Sequence, residues 1–344
     1  MAVPLRPGRL RQGPSIGDVA RLAGVSQQTV SRVSTGATNV RPATRDRVLE
    51  AMDQLGYSPN HAARALRSGS FGAIGLIAHR LDRTGESRTL EAVAAAARQE
   101  GYSITLVDVR TPTSSDVSDA VRRLSHQAID GLVVIRAEDS SPATLALPPR
   151  LPVVASDSRF MGVHPAVGTD QTQGASAAVQ HLLDLGHTTV HHVAGPLDST
   201  PARVRLEAWR TRLRAAGRPV PPVLHGDWSS ASGLRLGVDL VKDPDVTAVF
   251  CANDEMAAGV IRALHEAGAR VPEDVSVVGF DDIPLSEYLW PPLTTVRQDF
   301  TTIGENLVDL LMQQIREHTV LTGHHVLVPT DLVVRASTAP PRTR

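Results

Sequence analysis

Apolar residues near the start of the chain recur at helical spacing. Positions i, i+3, i+4 and i+7 of one predicted helix face are apolar: Ile16, Val19, Ala20 and Ala23. Ser15 and Asp18 form a capping-box pattern before this face, and Gly24 can turn the chain after it because glycine tolerates positive φ. The pattern predicts a short helix followed by a tight turn.

A second helix is predicted directly after this turn. Ser26 is a favourable N-cap, and Val30 and Val33 provide an inward face. The outward face is polar: Gln27, Gln28, Thr29, Ser31 and Arg32. Such a helix-turn-helix can read DNA, because glutamine suits adenine and arginine suits guanine in the major groove. The alternative is a small three-helix bundle with a polar surface.

A third helix is predicted from Pro42 to Gly56, since proline favours the first helical position and glycine the end. After it, residues 60–66 could form about two helical turns, which are marginal in isolation. A helix that forms only on DNA, beside its twin from a second subunit, could insert Leu66 into the minor groove. The alternative is an ordinary linker in which Leu66 has no role.

From residue 73 onwards, short apolar strands alternate with helices. Strands are predicted at 73–78, 103–107, 131–135, 152–155, 189–194, 247–251 and 275–279. Helices are predicted at 87–99, 116–126, 172–185, 201–216, 230–242 and 254–267. This alternation is typical of parallel sheets covered on both faces. The body is too long for one such sheet, so two doubly wound lobes are expected.

The overall charge of −1 hides an uneven distribution. Residues 1–70 carry ten arginines against four acids, a net charge of +6, whereas residues 71–344 carry 25 basic and 32 acidic residues, a net charge of −7. A basic head suits contacts with DNA phosphates, and an acidic body does not bind nucleic acid by itself.

Several properties of the whole chain restrict its class further. The single cysteine, Cys251, excludes an intrachain disulfide and fits a reducing compartment. No apolar run is long enough to span a membrane, and residues 1–14 resemble a disordered basic arm and no signal peptide. Residues 339–344 are expected to form a disordered tail. A cytoplasmic protein is therefore expected.

Polar side chains follow several predicted strands of the body: Asp157, Asn253 and Asp281, while Arg205 opens a helix after Gly195. Ligands of open α/β sheets bind outside the carboxyl ends of the strands. Carboxylate, amide and guanidinium groups suit a polyhydroxylated ligand, and Trp228 offers a flat face for a sugar ring. The alternatives are helix capping, above all by Asp254, and ordinary packing of Trp228.

Two arginines in the loop after the first strand leave the ligand's charge open. Arg80 or Arg83, facing the cleft, would favour an effector with a carboxylate or phosphate; the alternative is that both are solvated. Adjacent His191 and His192 would point to opposite faces of a strand and cannot easily share a metal ion. No metal site, cofactor or catalytic machinery is predicted.

Residues 15–340 resemble the lactose-repressor family of bacterial transcription regulators. The motifs that carry the resemblance are Asp18-Val19-Ala20, Gly24-Val25-Ser26, Thr29-Val30-Ser31-Arg32-Val33, Arg41-Pro42-Ala43-Thr44-Arg45 and Leu55-Gly56-Tyr57-Ser58-Pro59-Asn60. The resemblance implies an N-terminal all-α helix-turn-helix head with a hinge helix. It also implies an α/β body of two doubly wound lobes, like a periplasmic binding protein, with an effector between them.

The implied domain boundaries follow from this resemblance. The head would take residues 15–58 and the hinge helix and linker residues 59–70. The body would take residues 71–338. Lobe 1 of this body would comprise 71–171 and 300–327, and lobe 2 would comprise 172–296 and 328–338.

The resemblance also implies roles for individual residues. Base contacts are implied for Gln27, Gln28 and Arg32; backbone contacts for Ser26, Thr29, Ser31, Thr44, Tyr57 and Asn60; and minor-groove contacts for Ala63 and Leu66. The implied effector cleft is lined by His79, Asp157, Arg205, Asn253, Asp281, Gln298 and Phe300, with Trp228 beside them.

Three positions depart from the family pattern in the head. Gly17 stands where the family usually has a tyrosine near a phosphate, Ser34-Thr35 replaces a common Leu-Asn, and Arg41 replaces a small N-cap. Each departure affects the expected phosphate contacts and leaves the helix-turn-helix motif intact.

These observations favour a homodimeric repressor of sugar-utilisation genes that binds a near-palindromic double-stranded DNA operator and is relieved by a saccharide or glycoside. One alternative keeps the DNA-binding role with a non-sugar corepressor or a partner protein. A remote alternative is a sugar-binding protein without a DNA function. An enzyme is not expected.

Overall fold

The computed structural model describes residues 14–34, 39–57, 70–108, 119–120, 123–124, 129–135, 151–156 and 164–342. The chain divides into two compact units, Met1–Phe71 and Gly72–Arg344. Four of the predicted site residues lie outside the described residues: Asn60, Ala63, Leu66 and Asp157. Most of the helix predicted at 116–126 also lies outside them.

The first unit contains three described helices: α1 Ile16–Ala23, α2 Gln27–Ser34 and α3 Pro42–Leu55. The capping box at Ser15 and Asp18 is present, and Gly24 ends α1 with a φ of 63°. Inward apolar side chains of all three helices form one core: Val19, Ala20, Ala23, Val30, Val33, Val48, Ala51 and Met52. The predicted helix-turn-helix and third helix are therefore confirmed.

The second unit alternates strands and helices. Its strands are β1 Ala73–Ala78, β2 Ser103–Asp108, β3 Gly131–Ile135, β4 Val153–Ser156, β5 Ala166–Thr169, β6 His191–Ala194, β7 Leu224–His225, β8 Ala248–Cys251, β9 Ser276–Val278, β10 Thr295–Gln298, β11 His325–Val328 and β12 Thr330–Val333. Its described helices are α4 Thr84–Gln99, α5 Gln171–Asp184, α6 Thr200–Ala215, α7 Ser230–Leu240, α8 Asp254–Glu266 and α9 Phe300–Glu317.

Two parallel sheets form the centres of the two lobes. Lobe 1 has six strands in the order β11-β5-β4-β3-β1-β2, and lobe 2 has four in the order β7-β6-β8-β9. An antiparallel pair, β10 and β12, continues beside β9 through the bridges Val278–Thr294 and Asp281–Arg297. The predicted α/β body of two doubly wound lobes is confirmed.

Each lobe buries its own apolar core on both faces of its sheet. In lobe 1, α4 and α9 cover one face of the sheet, with Val93 and Leu307 fully buried. In lobe 2, Trp209 on α6 is fully buried and donates its indole N–H to the Val190 carbonyl at 2.8 Å. The chain passes between the lobes at the ends of β5, β10 and β11, so three crossings connect them.

Residues 339–342, which the sequence pattern placed in a disordered tail, pack against lobe 2. The Ala339 N–H donates to the Ser276 hydroxyl at 3.0 Å, and the His187 ring lies 3.1 Å from the Ala339 carbonyl. Arg342 forms an ion pair with Asp274. The tail prediction was wrong for these residues, because a proline-rich segment without a repeating apolar pattern can still be fixed by backbone hydrogen bonds.

No helix in the described part of the chain is both long enough and apolar enough to cross a lipid bilayer.

Glycine allows α7 and α8 to pack backbone to backbone beneath the lobe 2 sheet. A Cβ atom on Gly259 would lie 2.1 Å from the Ser230 carbonyl oxygen and 2.5 Å from the Leu234 nitrogen. We therefore expect Gly259→Ala to destabilise the body by about 1–3 kcal/mol or more, since two helices must separate to admit a methyl group. Urea denaturation followed by circular dichroism would measure this loss.

Gly168→Ala is the matched control for this substitution. A Cβ atom on Gly168 would meet its nearest neighbours at 3.9 and 4.0 Å, which is ordinary contact. Its effect on the unfolding free energy should stay within about 0.5 kcal/mol. Equal effects of the two substitutions would contradict the close approach of α7 and α8.

Candidate functional site

The outward face of α2 presents the polar side chains predicted to contact DNA. Gln27, Gln28 and Arg32 are exposed, whereas Thr29 and Ser31 are half-buried. The Ser26 hydroxyl accepts the Thr29 N–H at 3.1 Å and so caps the helix, as expected from the sequence. The arrangement leaves the long side chains at the N-terminal end of α2 available for base edges, and their DNA contacts remain predictions.

Gly17 makes room for one of these side chains. A Cβ atom on Gly17 would lie 3.2 Å from the side-chain nitrogen of Gln27. The position at which the family usually has a tyrosine therefore lies beside the first side chain of α2. The departure at Gly17 is visible in the sequence, but its proximity to Gln27 is not, because this contact joins two different helices.

The two remaining described head residues are less exposed. Tyr57 is half-buried and packs against the apolar core of the head, and Thr44 is half-buried in the first turn of α3. Arg41 precedes α3 without a side-chain hydrogen bond to the helix. The backbone N–H groups of this first turn therefore lack the side-chain cap that a small polar residue would provide.

A cavity of about 490 Å³ lies between the two lobes. The loop before α4 and the first turn of α4 form its lobe 1 wall: Arg80, Asp82, Arg83, Thr84, Gly85 and Glu86. Strand ends and helix starts form its lobe 2 wall: Arg205, Asp227, Trp228, Ser229, Asn253, Glu255 and Asp281. The cavity is at the position that the sequence pattern predicted for an effector.

Arg205 is the centre of the lobe 2 wall. Its side chain is only 2% exposed, and its guanidinium donates to the Gln171 side-chain oxygen at 2.7 Å and to Asp281 at 3.2 Å. A third donated bond goes to the Ala252 carbonyl, and the guanidinium lies 3.6 Å from the centre of the Phe280 ring. A buried charge needs such partners, because burial removes it from water.

Asp281 and two glutamines close a ring of hydrogen bonds with Arg205. The Gln171 amide donates to the Gln298 oxygen at 3.0 Å, and the Gln298 amide donates to Asp281 at 2.5 Å. Asp281 has a φ of 112°, which is strained for a residue with a side chain. The ring fixes which end of each amide donates. Gln171 was not predicted from the sequence, although it lies close after a strand end.

Asn253 connects the start of α8 to Trp228. Its side-chain oxygen accepts the Met256 N–H at 3.0 Å, and its amide donates to the Trp228 carbonyl at 2.9 Å and to Glu255 at 2.7 Å. The N-cap of α8 is therefore Asn253, and the alternative that Asp254 caps this helix was wrong. The Trp228 ring packs against Gly195, where a Cβ atom would lie 2.5 Å away.

Asp254 has a different role from capping. It is fully buried and accepts hydrogen bonds from the Ile283 N–H at 2.9 Å and from the hydroxyls of Ser286 and Thr295 at 2.7 and 2.5 Å. It thereby holds the turn that follows Asp281. Burial raises the pKa of Asp254 to about 8, with a smaller contribution from the negative charge of Asp281.

The predicted effector residues differ in whether they line the cavity between the lobes, the adjoining cavity or neither. Arg205, Trp228, Asn253 and Asp281 line the cavity, and Gln298 joins them through the hydrogen-bonded ring. Gln298 and Phe300 line an adjoining cavity of about 790 Å³, which also contains Asp281. His79 is buried at the end of β1 and is not among the described residues lining either cavity.

The position of the two lobe 1 arginines, which the sequence left open, is resolved. Both line the cavity, but they differ in exposure: the Arg83 side chain is only 10% exposed, so the solvated alternative was wrong for Arg83, whereas the Arg80 side chain is 44% exposed and is solvated as that alternative expected. Arg80 pairs with Asp82 at 3.1 Å, and Arg83 lies 4.0 Å from Glu86. The structure therefore places each arginine beside a carboxylate on its own wall.

Head and body both match known protein families. Residues 15–60 match the bacterial regulatory proteins of the lacI family, and residues 179–338 match the periplasmic binding protein-like domain. The chain is 35% identical over 332 residues to the lactose operon repressor of Escherichia coli (strain K12), covering 95% of this chain and 91% of that protein. It is 33% identical over 318 residues to the ribose operon repressor of the same strain, covering 91% and 96%.

Solved structures of similar proteins extend over nearly the whole chain. The lac repressor dimer bound to operator and the anti-inducer ONPF has a TM-score of 0.82 and 33% identity, covering 95% of this chain and 100% of that one. The complex of the transcriptional regulator CelR with cellobiose has a TM-score of 0.70 and 31% identity, covering 94% and 99%.

A helix-turn-helix head joined to a two-lobed, ligand-binding-type body defines the class of DNA-binding transcription regulators with an effector domain. The extent of the similarity identifies the family: this chain belongs to the lacI family of bacterial regulatory proteins.

The buried carboxyl of Asp254 predicts a pH-dependent stability. In the unfolded chain it titrates near its ordinary value of 3.8, whereas burial raises the folded pKa to about 8. Between these values only the unfolded state releases the proton. The stability that the neutral carboxyl contributes is therefore fully present below the unfolded pKa and is lost as the pH rises towards 8.

Between pH 4 and pH 8, the free energy of unfolding of wild type should fall relative to that of Asp254→Asn. The expected fall is about 1 kcal/mol for each pH unit. Urea denaturation at intervals across this range would measure the difference. Asp239→Asn, an exposed residue of α7, is the control and should follow wild type. Parallel pH profiles for wild type and Asp254→Asn would show that the carboxyl does not titrate in this way.

Proposed function

We propose that this protein is a sequence-specific transcriptional repressor whose binding to operator DNA is relieved by a saccharide or glycoside between the two lobes. The observation that carries the proposal is that one chain combines an exposed polar face on α2 with a polar cavity built around Arg205 and Asp281. The first suits base edges in the major groove, and the second suits hydroxyl groups that both donate and accept.

The DNA-binding part of the proposal rests on the head. Gln27, Gln28 and Arg32 are the proposed base-contacting residues, and Ser26, Thr29, Ser31, Thr44 and Tyr57 the proposed backbone contacts. Asn60, Ala63 and Leu66 belong to the proposed hinge. Two such heads in a homodimer would bind successive major grooves of a near-palindromic site, and the similar lac repressor, solved as a dimer bound to operator, supports this arrangement.

The saccharide part of the proposal rests on the lobe 2 wall. Trp228 offers an aromatic surface, and Arg205, Asn253 and Asp281 offer donors and acceptors within one cavity. The similar regulator CelR was solved with cellobiose, which supports a sugar-like ligand for this chain. Asp157, Gln298 and Phe300 complete the proposed effector set, whereas His79, buried at the end of β1 and lining neither described cavity, supports the site only from behind its wall.

The mechanism couples the two sites through the body. An effector that contacts both walls would favour a different angle between the lobes, and a ligand shifts a conformational equilibrium only by its differential affinity for the two states. Two of the ring residues, Gln171 and Gln298, lie next to lobe crossings, so closure at Arg205 acts directly on the connecting segments. Such a regulator acts on the bacterial nucleoid, and the proposal therefore includes a cytoplasmic location and no catalysis.

The polar face of α2 predicts which substitutions weaken sequence-specific DNA binding. Selection from a random duplex pool should enrich a near-palindromic operator, and fluorescence anisotropy should then give its affinity. Gln28→Ala should weaken specific binding by about 1–3 kcal/mol and relax the preference for one base, because a pair of hydrogen bonds to that base is lost. Arg98→Ala, on the exposed side of α4, should leave the affinity unchanged.

The salt dependence gives an independent check of this prediction. Binding to the selected operator should weaken as salt rises, because phosphate contacts release counterions. Gln28→Ala should keep the same salt slope, since glutamine neutralises no phosphate. Equal binding of wild type to operator and to unrelated DNA at moderate salt would rule out the proposed sequence-specific reading.

The ring around Arg205 predicts a separation of effector response from DNA binding. Saturating saccharide should raise the melting temperature of wild type and release the operator; a ligand at 100 times its Kd stabilises by about 2.7 kcal/mol. Asp281→Asn should bind operator but lose both effects, because Arg205 loses its ionised partner in the cavity. Asp239→Asn should respond like wild type. An unchanged response of Asp281→Asn would remove Asp281 from the effector site.

A further inference from the structure

The described residues that line the cavity between the lobes include more acidic than basic side chains. Its guanidinium groups belong to Arg80, Arg83 and Arg205. Its carboxyl groups belong to Asp82, Glu86, Asp227, Glu255 and Asp281. Among the described lining residues, the walls therefore carry two more acidic than basic groups. Carboxylates that form no ion pair with an arginine are the ones available to a ligand.

Every arginine among the described residues of the cavity already has a carboxylate neighbour. Arg80 pairs with Asp82, Arg83 lies beside the fully buried Glu86, and Arg205 pairs with Asp281, with N–O distances of 3.1, 4.0 and 3.2 Å. An anionic effector would have to compete with these carboxylates for each guanidinium. The arrangement thus removes the reason for expecting a carboxylate or phosphate on the effector.

Two lining carboxylates, Asp227 and Glu255, form no ion pair with the arginines described on the cavity walls. Asp227 accepts the Ser229 N–H at 3.0 Å and the Ser229 hydroxyl at 2.5 Å. The hydroxyl hydrogen bond is the main cause that lowers the pKa of Asp227 below its ordinary value, so this carboxylate is ionised at neutral pH. Asp227 is also exposed to solvent, and hydrogen bonding to Ser232 and the positive charge of Arg235 contribute further to its low pKa.

Glu255 occupies the position between the two walls. It lies in the first turn of α8, and its two oxygens accept one hydrogen bond from the Asn253 amide at 2.7 Å and one from the Thr84 hydroxyl. Thr84 belongs to lobe 1, so Glu255 is a direct link across the cavity. A carboxylate oxygen can accept more than one hydrogen bond, and both oxygens of Glu255 therefore retain capacity for a ligand.

Trp228 connects the two carboxylates. It directly follows Asp227 in the chain, and the Asn253 amide that donates to its carbonyl also donates to Glu255. A tryptophan ring attracts a cation through its negative face, and the Arg205 guanidinium already lies 5.6 Å from the centre of this ring. Two carboxylates and an electron-rich ring thus line the lobe 2 wall of one cavity, which favours a positive group there.

We propose that the effector carries a protonated amine, as in an amino sugar, and that Glu255 with Asp227 receives this ammonium group beside Trp228. This inference rests on the proposed saccharide effector and names its chemical class. A neutral sugar ring would satisfy the donors and acceptors around Arg205, and the ammonium would compensate part of the excess negative charge. Glu255 is then the residue that distinguishes an amino sugar from its neutral parent.

The test compares matched sugars on the full-length protein by isothermal titration calorimetry. The probes are the hexoses of the gluco, galacto and manno series, their 2-amino derivatives and the N-acetylated derivatives, at a pH where the amine is protonated. One of the amino sugars should bind at least about tenfold more tightly than both its neutral parent and its N-acetyl derivative, which is a typical effect of one charged hydrogen bond. The advantage should shrink when salt rises or the amine is deprotonated.

Glu255→Gln should remove this preference, because it replaces the carboxylate by a neutral group of nearly equal size. Glu266→Gln is the matched control at the exposed end of the same helix and should retain the preference. Asp227→Asn provides a second variant and should reduce the preference in part. Operator binding and the thermal melt of each variant establish that it is folded.

Three outcomes would overturn the inference, and they separate it from the proposed function. Equal binding of an amino sugar and its neutral parent, unaffected by Glu255→Gln, would refute the ammonium site and leave the saccharide effector standing. Tighter binding of a sugar acid or sugar phosphate would refute it likewise. Absence of binding by every sugar, with intact binding to the selected operator, would refute both the inference and the saccharide effector while the DNA-binding role remains.

Discussion

The ion pair between Arg205 and Asp281 is the interaction on which the effector cleft depends. Both groups are almost fully buried, and their desolvation is offset only while the surrounding hydrogen bonds are closed. Gln171 begins α5 directly after the crossing from β5, and Gln298 ends β10 directly before the crossing to α9. The ring therefore joins the proposed ligand-contacting wall to two of the three connections between the lobes. A movement at the cleft wall is thus transmitted directly to these connections.

Backbone strain is concentrated in the walls of the effector cleft. Among the described residues other than glycine, positive φ values occur at Arg80, Trp228, Asp281, Asp282 and His318, and the first three of these line the effector cavity. Such conformations cost about 1–3 kcal/mol each and persist only where the surroundings enforce them. Here Asp254 holds the turn after Asp281, and Asn253 holds Trp228 through its carbonyl. Buried polar groups thus maintain strained residues whose side chains line the cavity.

The two walls of the cavity differ in how their charges are compensated. On the lobe 1 wall, arginines and acids from one short loop and the first turn of α4 lie beside one another, so that the described part of this wall is polar but nearly balanced. On the lobe 2 wall, Arg205 and Asp281 balance each other, and the hydrogen bonds to Asp227 and Glu255 come from hydroxyl, amide and backbone donors. The two walls therefore differ in whether their carboxylates have an arginine partner within the cavity.

The sequence by itself determined the features that arise from neighbours along the chain. Helical spacing from Ile16 to Ala23, the caps at Ser15 and Ser26, and the alternation of apolar strands with helices each depend on residues a few positions apart. For the same reason Asn253 and Asp281 could be assigned to the cleft, because strand ends meet at one edge of a sheet. Only the tertiary structure decided the roles of Gln171, Asp254 and the segment 339–342. Their partners lie on other elements, and the contact between His187 and Ala339 spans 152 positions of the chain. Only the packing of both lobes brings such groups within hydrogen-bonding distance.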